Sequence, residues 1–249
     1  MALLKQLIVN ADDFGFTRDV NEGIVHALSN GILTATTLMA TGPAFEHAVA
    51  LAREHPALDV GAHLVLVGAE GYPATVARLM AAVALGRIPI YDRLASQMRK
   101  ILEAGIQPTH LDTHKHTHLL PPVLDAVARI AAEFRVPWVR RLIPAPVPFL
   151  QAMQQRRLVR RGCRTTDYFE GFEITGRYDA RKLAALIRAL PDGVTEFMCH
   201  PGFCGDELRA ARTRLKDSRR VELDALTSAE VREALQESAV TLVRYPDLV

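Results

Sequence analysis

The stretch QLIVNADDFG, residues 6–15, decides how the rest of this sequence is interpreted. Residues 6–11 form an apolar run typical of a buried strand, and the turn-like sequence Asp12-Asp13-Phe14-Gly15 follows it. Apolar residues then recur at helical spacing over 20–30, before Gly31. The pattern predicts a strand and a helix, with two carboxylates at the carboxyl end of the strand.

The same alternation of strand and helix continues along the chain. Further strands are predicted at 33–40, 59–67, 109–114, 138–142, 168–174, 194–199 and 240–245. Helices are predicted at 44–54, 91–103, 123–134, from Pro148 to about 161, at 180–190 with Asp179 as N-cap, and from a capping box at residues 227–230.

Seven to eight βα units without an obvious linker predict one α/β domain over 1–249, built as an irregular TIM-like (β/α) barrel. A doubly wound open sheet is the alternative. Residues around 68–90 form a longer connection with an alanine-rich helical patch, and we interpret them as a lid or a substrate-binding insertion.

Composition excludes several classes of protein. The chain has 249 residues, of which 49% are hydrophobic, and its formal net charge is +2, so it has neither the composition of a disordered protein nor a general attraction to nucleic acid. It lacks the roughly 18 consecutive apolar residues of a membrane span, and its start does not have the pattern of a signal peptide. Three cysteines without a CxxC pair indicate free thiols. We expect a cytoplasmic protein.

Four of the nine histidines fall within residues 110–118, in the sequence HLDTHKHTH. In an extended strand, alternate residues share a face, so His110, Asp112 and His114 would project together, and His116 and His118 too if the strand continued. Such a polar inward face predicts a metal site with supporting residues. A hydrogen-bonded polar network is the alternative.

The other candidates also lie at predicted strand ends. Asp12 and Asp13 follow the first strand, His63 ends the third and His200 ends a later one. Taken singly, an aspartate pair can cap a helix and a lone histidine is more often a core residue. Strand ends converge at one rim of a barrel, however, and catalytic residues gather there. One carboxylate and two imidazoles leave open positions on a divalent ion, which predicts metal-assisted hydrolysis.

These segments together resemble the YdjC-like (ChbG) carbohydrate deacetylases. The resemblance is carried by Asn10-Ala-Asp-Asp-Phe-Gly15, Val60-Gly-Ala-His63, Thr109-His-Leu-Asp-Thr-His-Lys-His116 and Cys199-His-Pro-Gly202. Within the family, the chain looks most similar to the HpnK-type deacetylases of hopanoid biosynthesis. An irregular TIM-like barrel, often dimeric, and removal of an N-acetyl group from a sugar are what the resemblance implies.

The resemblance also implies roles for individual residues. Asp13, His63 and His114 would bind one divalent ion, with Mg or Zn as first choices and Mn, Ni or Co also tolerated. Asp12 would be the general base and His200 the general acid, although the two aspartates could exchange roles. His110, Asp112 and His116 would support the metal ligands or contact substrate.

For the HpnK-type proteins the implied substrate is an N-acetylglucosaminyl hopanoid (bacteriohopanetetrol), a membrane lipid. Residues 146–161 combine apolar residues with the arginines Arg156, Arg157, Arg160 and Arg161, so this segment could dock on the inner membrane surface, or be an ordinary surface helix. Alternatives for the function are a deacetylase of soluble chito-oligosaccharides such as diacetylchitobiose, a metal-dependent phosphoesterase, and a metal-stabilised sugar-binding protein without turnover.

Overall fold

The computed structural model describes residues 4–142 and 148–248, and its framework is a curled sheet of parallel strands. The strands are β1 Lys5–Phe14, β2 Ala35–Leu38, β3 Asp59–Leu64, β4 His110–Thr113, β5 Trp138–Val139, β6 Tyr168–Glu170, β7 Gly193–Cys199 and β8 Val240–Leu242. The helices are α1 Arg18–Asn30, α2 Phe45–Glu54, α3 Val76–Ala84, α4 Ile90–Glu103, α5 Pro121–Glu133, α6 Pro148–Arg160, α7 Ala180–Arg188, α8 Asp206–Ala210, α9 Asp217–Leu226 and α10 Ala229–Glu237.

The strand order is β5-β4-β3-β2-β1-β7-β6. An isolated parallel bridge joins Trp138 to Arg164, just before β6, and so links the two ends of the curled sheet. β8 is not inserted between β7 and β1; instead it pairs with the first residues of β1, opposite β7. The predicted irregular TIM-like barrel is therefore confirmed, and the position of β8 accounts for its irregularity.

The predicted helix starts lie within two residues of the observed ones. The Asp179 side chain accepts a hydrogen bond from the Lys182 backbone amide at the start of α7, as expected. The capping box at 227–230 was placed one residue too early, because Ser228 is the N-cap of α10 and accepts from the Val231 amide. α8 and α9 were not predicted, since their sequences are dominated by charged residues.

The insertion at 68–90 contains α3, which begins after the N-cap Thr75. The predicted basic segment 146–161 corresponds in part to α6, and its first residues lie outside the described chain. Across 4–142 and 148–248, there is no helix with the length and apolarity of a membrane span.

The histidine-rich segment does not remain extended, so the expectation of one continuous face is wrong beyond His114. β4 ends at Thr113, and a 3-10 segment, His114–Leu119, follows it. Lys115 and His116 both adopt left-handed backbone conformations, with φ of 53° and 51°. The Thr113 hydroxyl fixes this turn, because it lies 2.6 Å from His118 Nδ1 and accepts the His118 backbone N–H at 3.0 Å.

The buried position of His118 predicts acid sensitivity of the fold. Burial lowers the pKa of His118 to about 3, against about 6.5 for an unfolded histidine. Between these pH values the unfolded chain binds a proton that the folded chain does not, so stability is lost as the pH falls. We expect His118→Asn, whose amide can replace Nδ1 as the hydrogen-bond partner of the Thr113 hydroxyl, to reduce the pH slope of the free energy of unfolding by up to about 1.4 kcal/mol per pH unit.

Urea unfolding between about pH 5 and 7 measures this slope. His26→Asn, at an exposed position on α1, is the matched control and should keep the wild-type slope. Equal slopes for wild type and His118→Asn would contradict the account.

Candidate active site

A cavity of about 860 Å³ opens at the carboxyl ends of the strands, within the usual size range of small-molecule sites. Five of the residues singled out from the sequence as ligands, base or acid line it together: Asp12, Asp13, His63, His114 and His200. His116 lines it too. His110 and Asp112 are not among its lining residues.

The end of β1 brings two adjacent carboxylates to one cavity. Neighbouring strand residues normally face opposite sides. Here Asp13 takes a left-handed conformation, with φ of 70°, and the β1–β2 register shifts between Ala11 and Phe14. Gly15 continues the turn at φ of 101°, where a Cβ would lie 3.0 Å from the Met39 carbonyl oxygen. The turn predicted at this point is present, and Asp13 as well as Gly15 adopts the left-handed backbone conformation that forms it.

Three donor atoms converge beside this turn. Asp13 Oδ1 lies 3.1 Å from His114 Nδ1 and 3.4 Å from His63 Nε2, and the two imidazole nitrogens are 3.2 Å apart. Asp13 Oδ1 is buried without a directed hydrogen bond among the described residues. Ligands at about 2.0–2.2 Å from one ion have neighbouring donor atoms about 3 Å apart, so this set fits a divalent metal.

Asp112 orients His63 from behind. Its Oδ1 lies 2.6 Å from His63 Nδ1, and the Thr37 hydroxyl is 3.2 Å from the same nitrogen. Burial lowers the pKa of His63, but the Asp112 carboxylate outweighs it and the pKa is raised to about 10. Because Nδ1 is engaged by a carboxylate, Nε2 is the nitrogen that points to the cavity, as in carboxylate–histidine–metal arrangements.

Arg140, directly after β5, holds Asp12 in a buried charge network. Nη2 donates to Asp12 Oδ1 at 2.6 Å and Nη1 to Asp12 Oδ2 at 2.8 Å. The same guanidinium contacts Asp112 Oδ2 at 2.5 Å and Glu196 Oε1 at 2.7 Å. Burial opposes ionisation of Asp12, yet Arg140 outweighs it and holds the pKa of Asp12 well below its usual range.

This network separates the two aspartates. Asp12, His63 and Asp112 also lie close enough to one another to form a metal-binding set. Both oxygens of Asp12, however, already accept hydrogen bonds from Arg140. The carboxylate of Asp112 is likewise engaged, by His63 and Arg140. Asp13 Oδ2 instead accepts a hydrogen bond from Arg219 Nη2 of α9, at 2.5 Å, and Asp13 Oδ1 faces the two imidazoles. Burial opposes ionisation of Asp13, but Arg219 and the histidines hold its pKa well below the usual value.

His200, directly after β7, lies near Asp12. Its Nε2 is 3.9 Å from Asp12 Oδ2, and its backbone N–H donates to Glu222 Oε2 at 2.6 Å. Burial is the largest influence on the His200 pKa and lowers it, which favours the neutral ring at neutral pH. α1 fixes the loop after His200, since a Cβ on Gly23 would lie 2.4 Å from the Gly202 Cα.

The remaining predicted residues take two different positions. His116 lies edge-on to Phe172, with ring centroids 4.9 Å apart, in the wall of the cavity. His110 lies deeper in the barrel, where Nε2 is 2.9 Å from Asn10 Oδ1 and the ring stacks on Tyr245. His110 therefore packs behind the site. It does not reach the cavity and so is not placed to contact a substrate there.

Sequence reasoning missed the buried charges that surround the candidates: Arg140, Glu196, Arg219 and Glu222. One signal was available for Arg140, because an arginine within a predicted buried strand, here 138–142, needs carboxylate partners. Glu196 offered the same signal within β7. Arg219 and Glu222 offered none, since α9 was not predicted and both lie among other charged residues.

Comparisons with known proteins agree with this architecture. Residues 6–237 match the family described as YdjC-like protein. The chain is 34% identical to a carbohydrate deacetylase of Brevibacillus brevis, over 98% of this chain and 99% of the other, and 31% identical to one of Clostridium beijerinckii, over 98% and 100%.

Among solved structures, a protein of Enterococcus faecalis titled a putative cellobiose-phosphate cleavage protein superposes with a TM-score of 0.82 at 27% identity, covering 99% of both chains. A family 4 carbohydrate esterase of Streptomyces lividans shares the fold alone, with a TM-score of 0.51 at 10% identity over 98% of this chain and 94% of the other. With a family match over most of its length and full-length relatives above 30% identity, the chain belongs to the YdjC-like family.

Proposed function

We propose that the protein is a metal-dependent carbohydrate N-deacetylase that acts on an N-acetylglucosaminyl hopanoid and releases acetate and a free amine. The observation that carries the proposal is the pairing of two differently held aspartates at one cavity, Asp13 beside two imidazoles and Asp12 beside His200. Full-length relatives named carbohydrate deacetylases support the reaction class.

Asp13, His63 and His114 would hold the ion through Oδ1, Nε2 and Nδ1. A divalent ion at this position supplies polarisation of the acetamide carbonyl and makes a nearby water more acidic. Asp13 is fixed for this role by Arg219, and His63 by Asp112. A mixed carboxylate and imidazole set suits Zn and also accepts Mg, Mn, Ni or Co, so metal availability contributes to the choice.

Asp12 and His200 would divide the proton transfers. Asp12 Oδ2 accepts the proton of the attacking water, but its low pKa makes it a weak base that holds a proton only briefly. His200 Nε2, 3.9 Å away, can take that proton and deliver it to the departing sugar nitrogen. The acetyl C–N bond breaks as the nitrogen takes this proton and leaves as the free amine, while the water oxygen remains on acetic acid, which loses its other proton to solvent to give acetate.

The walls of the cavity suit an amphipathic substrate. Met39, Val67, Phe172 and Met198 provide apolar surface near the polar site, and Phe172 could stack on the apolar face of a sugar. The hopanoid substrate and the HpnK-type assignment rest on the sequence resemblance. Deacetylation of soluble chito-oligosaccharides such as diacetylchitobiose is the second candidate; it would use the same site, and the name of the bacterial relatives, carbohydrate deacetylase, covers either substrate.

Loss of a donor atom should remove metal and activity together. We expect His114→Ala to retain no ion after dialysis and to release acetate only at background rate, because two donors remain. Asp112→Asn should weaken metal binding by about 10–100-fold, since His63 loses its carboxylate partner. Metal content by elemental analysis and acetate release measure both effects, with exposed His26→Ala as control. Wild-type metal content and activity in His114→Ala would contradict the ligand set.

Removal of the proposed general base, Asp12, should lower the reaction rate without affecting metal binding. Asp12→Asn keeps the shape and a hydrogen-bond acceptor for Arg140 but cannot take up a proton. We expect it to bind metal like wild type and to lose about 10²–10⁴-fold in kcat. Steady-state kinetics beside metal titration checks this. A variant that keeps its rate, or one that loses the ion, would show that Asp12 has a different role.

The substrate is tested by acetate release from N-acetylglucosaminyl bacteriohopanetetrol and from diacetylchitobiose, each with and without a chelator. We expect chelator-sensitive release from the hopanoid. Release from the disaccharide alone would keep the mechanism and replace the lipid by a soluble sugar. Ligand binding without release from either compound would favour the non-catalytic sugar-binding alternative.

A further inference from the structure

α3 has an unusual solvent-facing side. Only Leu79 is fully buried along this helix, and its solvent-facing arc consists of apolar residues with Arg78 at one edge. The exposed apolar residues of this arc and of the helix C-cap are Ala77, Met80, Ala81, Ala84 and Leu85. Met80 is 52% exposed and Leu85 is 60% exposed. A surface helix of a soluble protein normally turns a polar face to water, so this arc indicates a site of interaction.

The charges around α3 narrow the choice of partner. Residues 71–91 contain no aspartate or glutamate, and their two charged residues are Arg78 and Arg87. Apolar side chains flanked by cations are the pattern of helices that lie in the interface of an anionic lipid bilayer. The alternative partner is a second copy of this chain, docked through the same face by a two-fold axis. Arg78 and Arg87 of one copy would then approach those of the other, and residues 71–91 contain no acidic side chain to neutralise them.

A short, well-anchored connection links α3 to the cavity. Val67, Gly68, Ala69 and Glu70 line the cavity, and the Gly68 N–H donates to the Pro73 carbonyl. Gln97 of α4 bonds to both backbone groups of Val65, at 2.8 and 2.7 Å, and its amide nitrogen also lies 3.1 Å from the Tyr72 hydroxyl. The residues that lead into α3 are therefore fixed beside the opening.

The rest of the cavity opening is positively charged, like the surroundings of α3. Three exposed cations line the cavity, Lys115, Arg212 and Arg214, against one exposed acid, Glu70. The apolar arc of α3 and these cations belong to connections that leave the carboxyl ends of the strands. The same end of the barrel thus carries the cavity, an apolar helix and an excess of positive charge.

We propose that α3 inserts its apolar arc into the interface of an anionic membrane, with Arg78 and Arg87 at the phospholipid headgroups, and so holds the cavity opening against the bilayer. The biological purpose of this contact rests on the proposed glycolipid substrate. Its test does not, because vesicles that contain no substrate are sufficient. The proposal makes α3, rather than the basic helix α6, the principal membrane contact.

The experiment is cosedimentation of the full chain with vesicles of phosphatidylcholine, with and without phosphatidylglycerol. We expect binding to the anionic vesicles that weakens with added salt, and at least a tenfold loss of affinity in the double variant Met80→Glu, Leu85→Glu. The control is Leu4→Glu, since Leu4 is 67% exposed but precedes β1, at the opposite end of the barrel. This control should bind like wild type.

Several results would overturn the proposal. They are absence of wild-type binding to anionic vesicles, unchanged binding by the double variant, or loss of binding only when Arg156, Arg157, Arg160 and Arg161 are changed to Gln. Sedimentation equilibrium showing a wild-type dimer and a monomeric double variant would make this face an interface between copies. Acetate release from detergent-solubilised N-acetylglucosaminyl bacteriohopanetetrol and from diacetylchitobiose is measured separately in each variant, without vesicles, so failure of the proposed activity is distinguishable from failure of docking.

Discussion

Two adjacent aspartates are held by two different buried arginines, and the rest of the site depends on this division. Arg140 binds both oxygens of Asp12, while Arg219 binds one oxygen of Asp13 and leaves the other facing His63 and His114. Both arginine side chains are 1% exposed. Removing one partner of a buried ion pair costs about 3–5 kcal/mol because the other charge is left uncompensated. The network therefore holds the two neighbouring carboxylates in different surroundings, with both oxygens of Asp12 on Arg140 and one oxygen of Asp13 facing the imidazoles.

The fold supplies each part of this arrangement from a different strand. β1 contributes the aspartates, β3 His63, β4 Asp112 and β7 Glu196, and His114, Arg140 and His200 directly follow β4, β5 and β7. Because the strands are parallel, all of these residues lie toward one end of the barrel. α9 completes the site from outside the sheet, through Arg219 and through Glu222, which also accepts the Gly176 backbone N–H at 2.7 Å.

The sequence allowed prediction of the barrel and of the residues that meet at the cavity, since both follow from periodicity and from polar residues at strand ends. It did not allow the roles of Asp12 and Asp13 to be distinguished, because that difference depends on arginines 128 and 206 positions away. The turn at His114 was also missed. The alternating pattern of residues 110–118 predicts a continuous strand. Lys115 and His116 interrupt it with left-handed backbone conformations, which sequence indicates mainly where the residue is a glycine. Long-range charge pairs and non-glycine left-handed turns are fixed by tertiary contacts.

The central claim is that one ion binds between Asp13, His63 and His114 while Asp12 remains on Arg140. A crystal structure of the metal-loaded protein, with anomalous scattering measured at the absorption edge of the ion, tests it most directly. The account predicts one anomalous peak within about 2.3 Å of Asp13 Oδ1, His63 Nε2 and His114 Nδ1, with the Asp12–Arg140 pair intact. A peak coordinated by Asp12 or Asp112 instead, with Asp13 turned away, would contradict it.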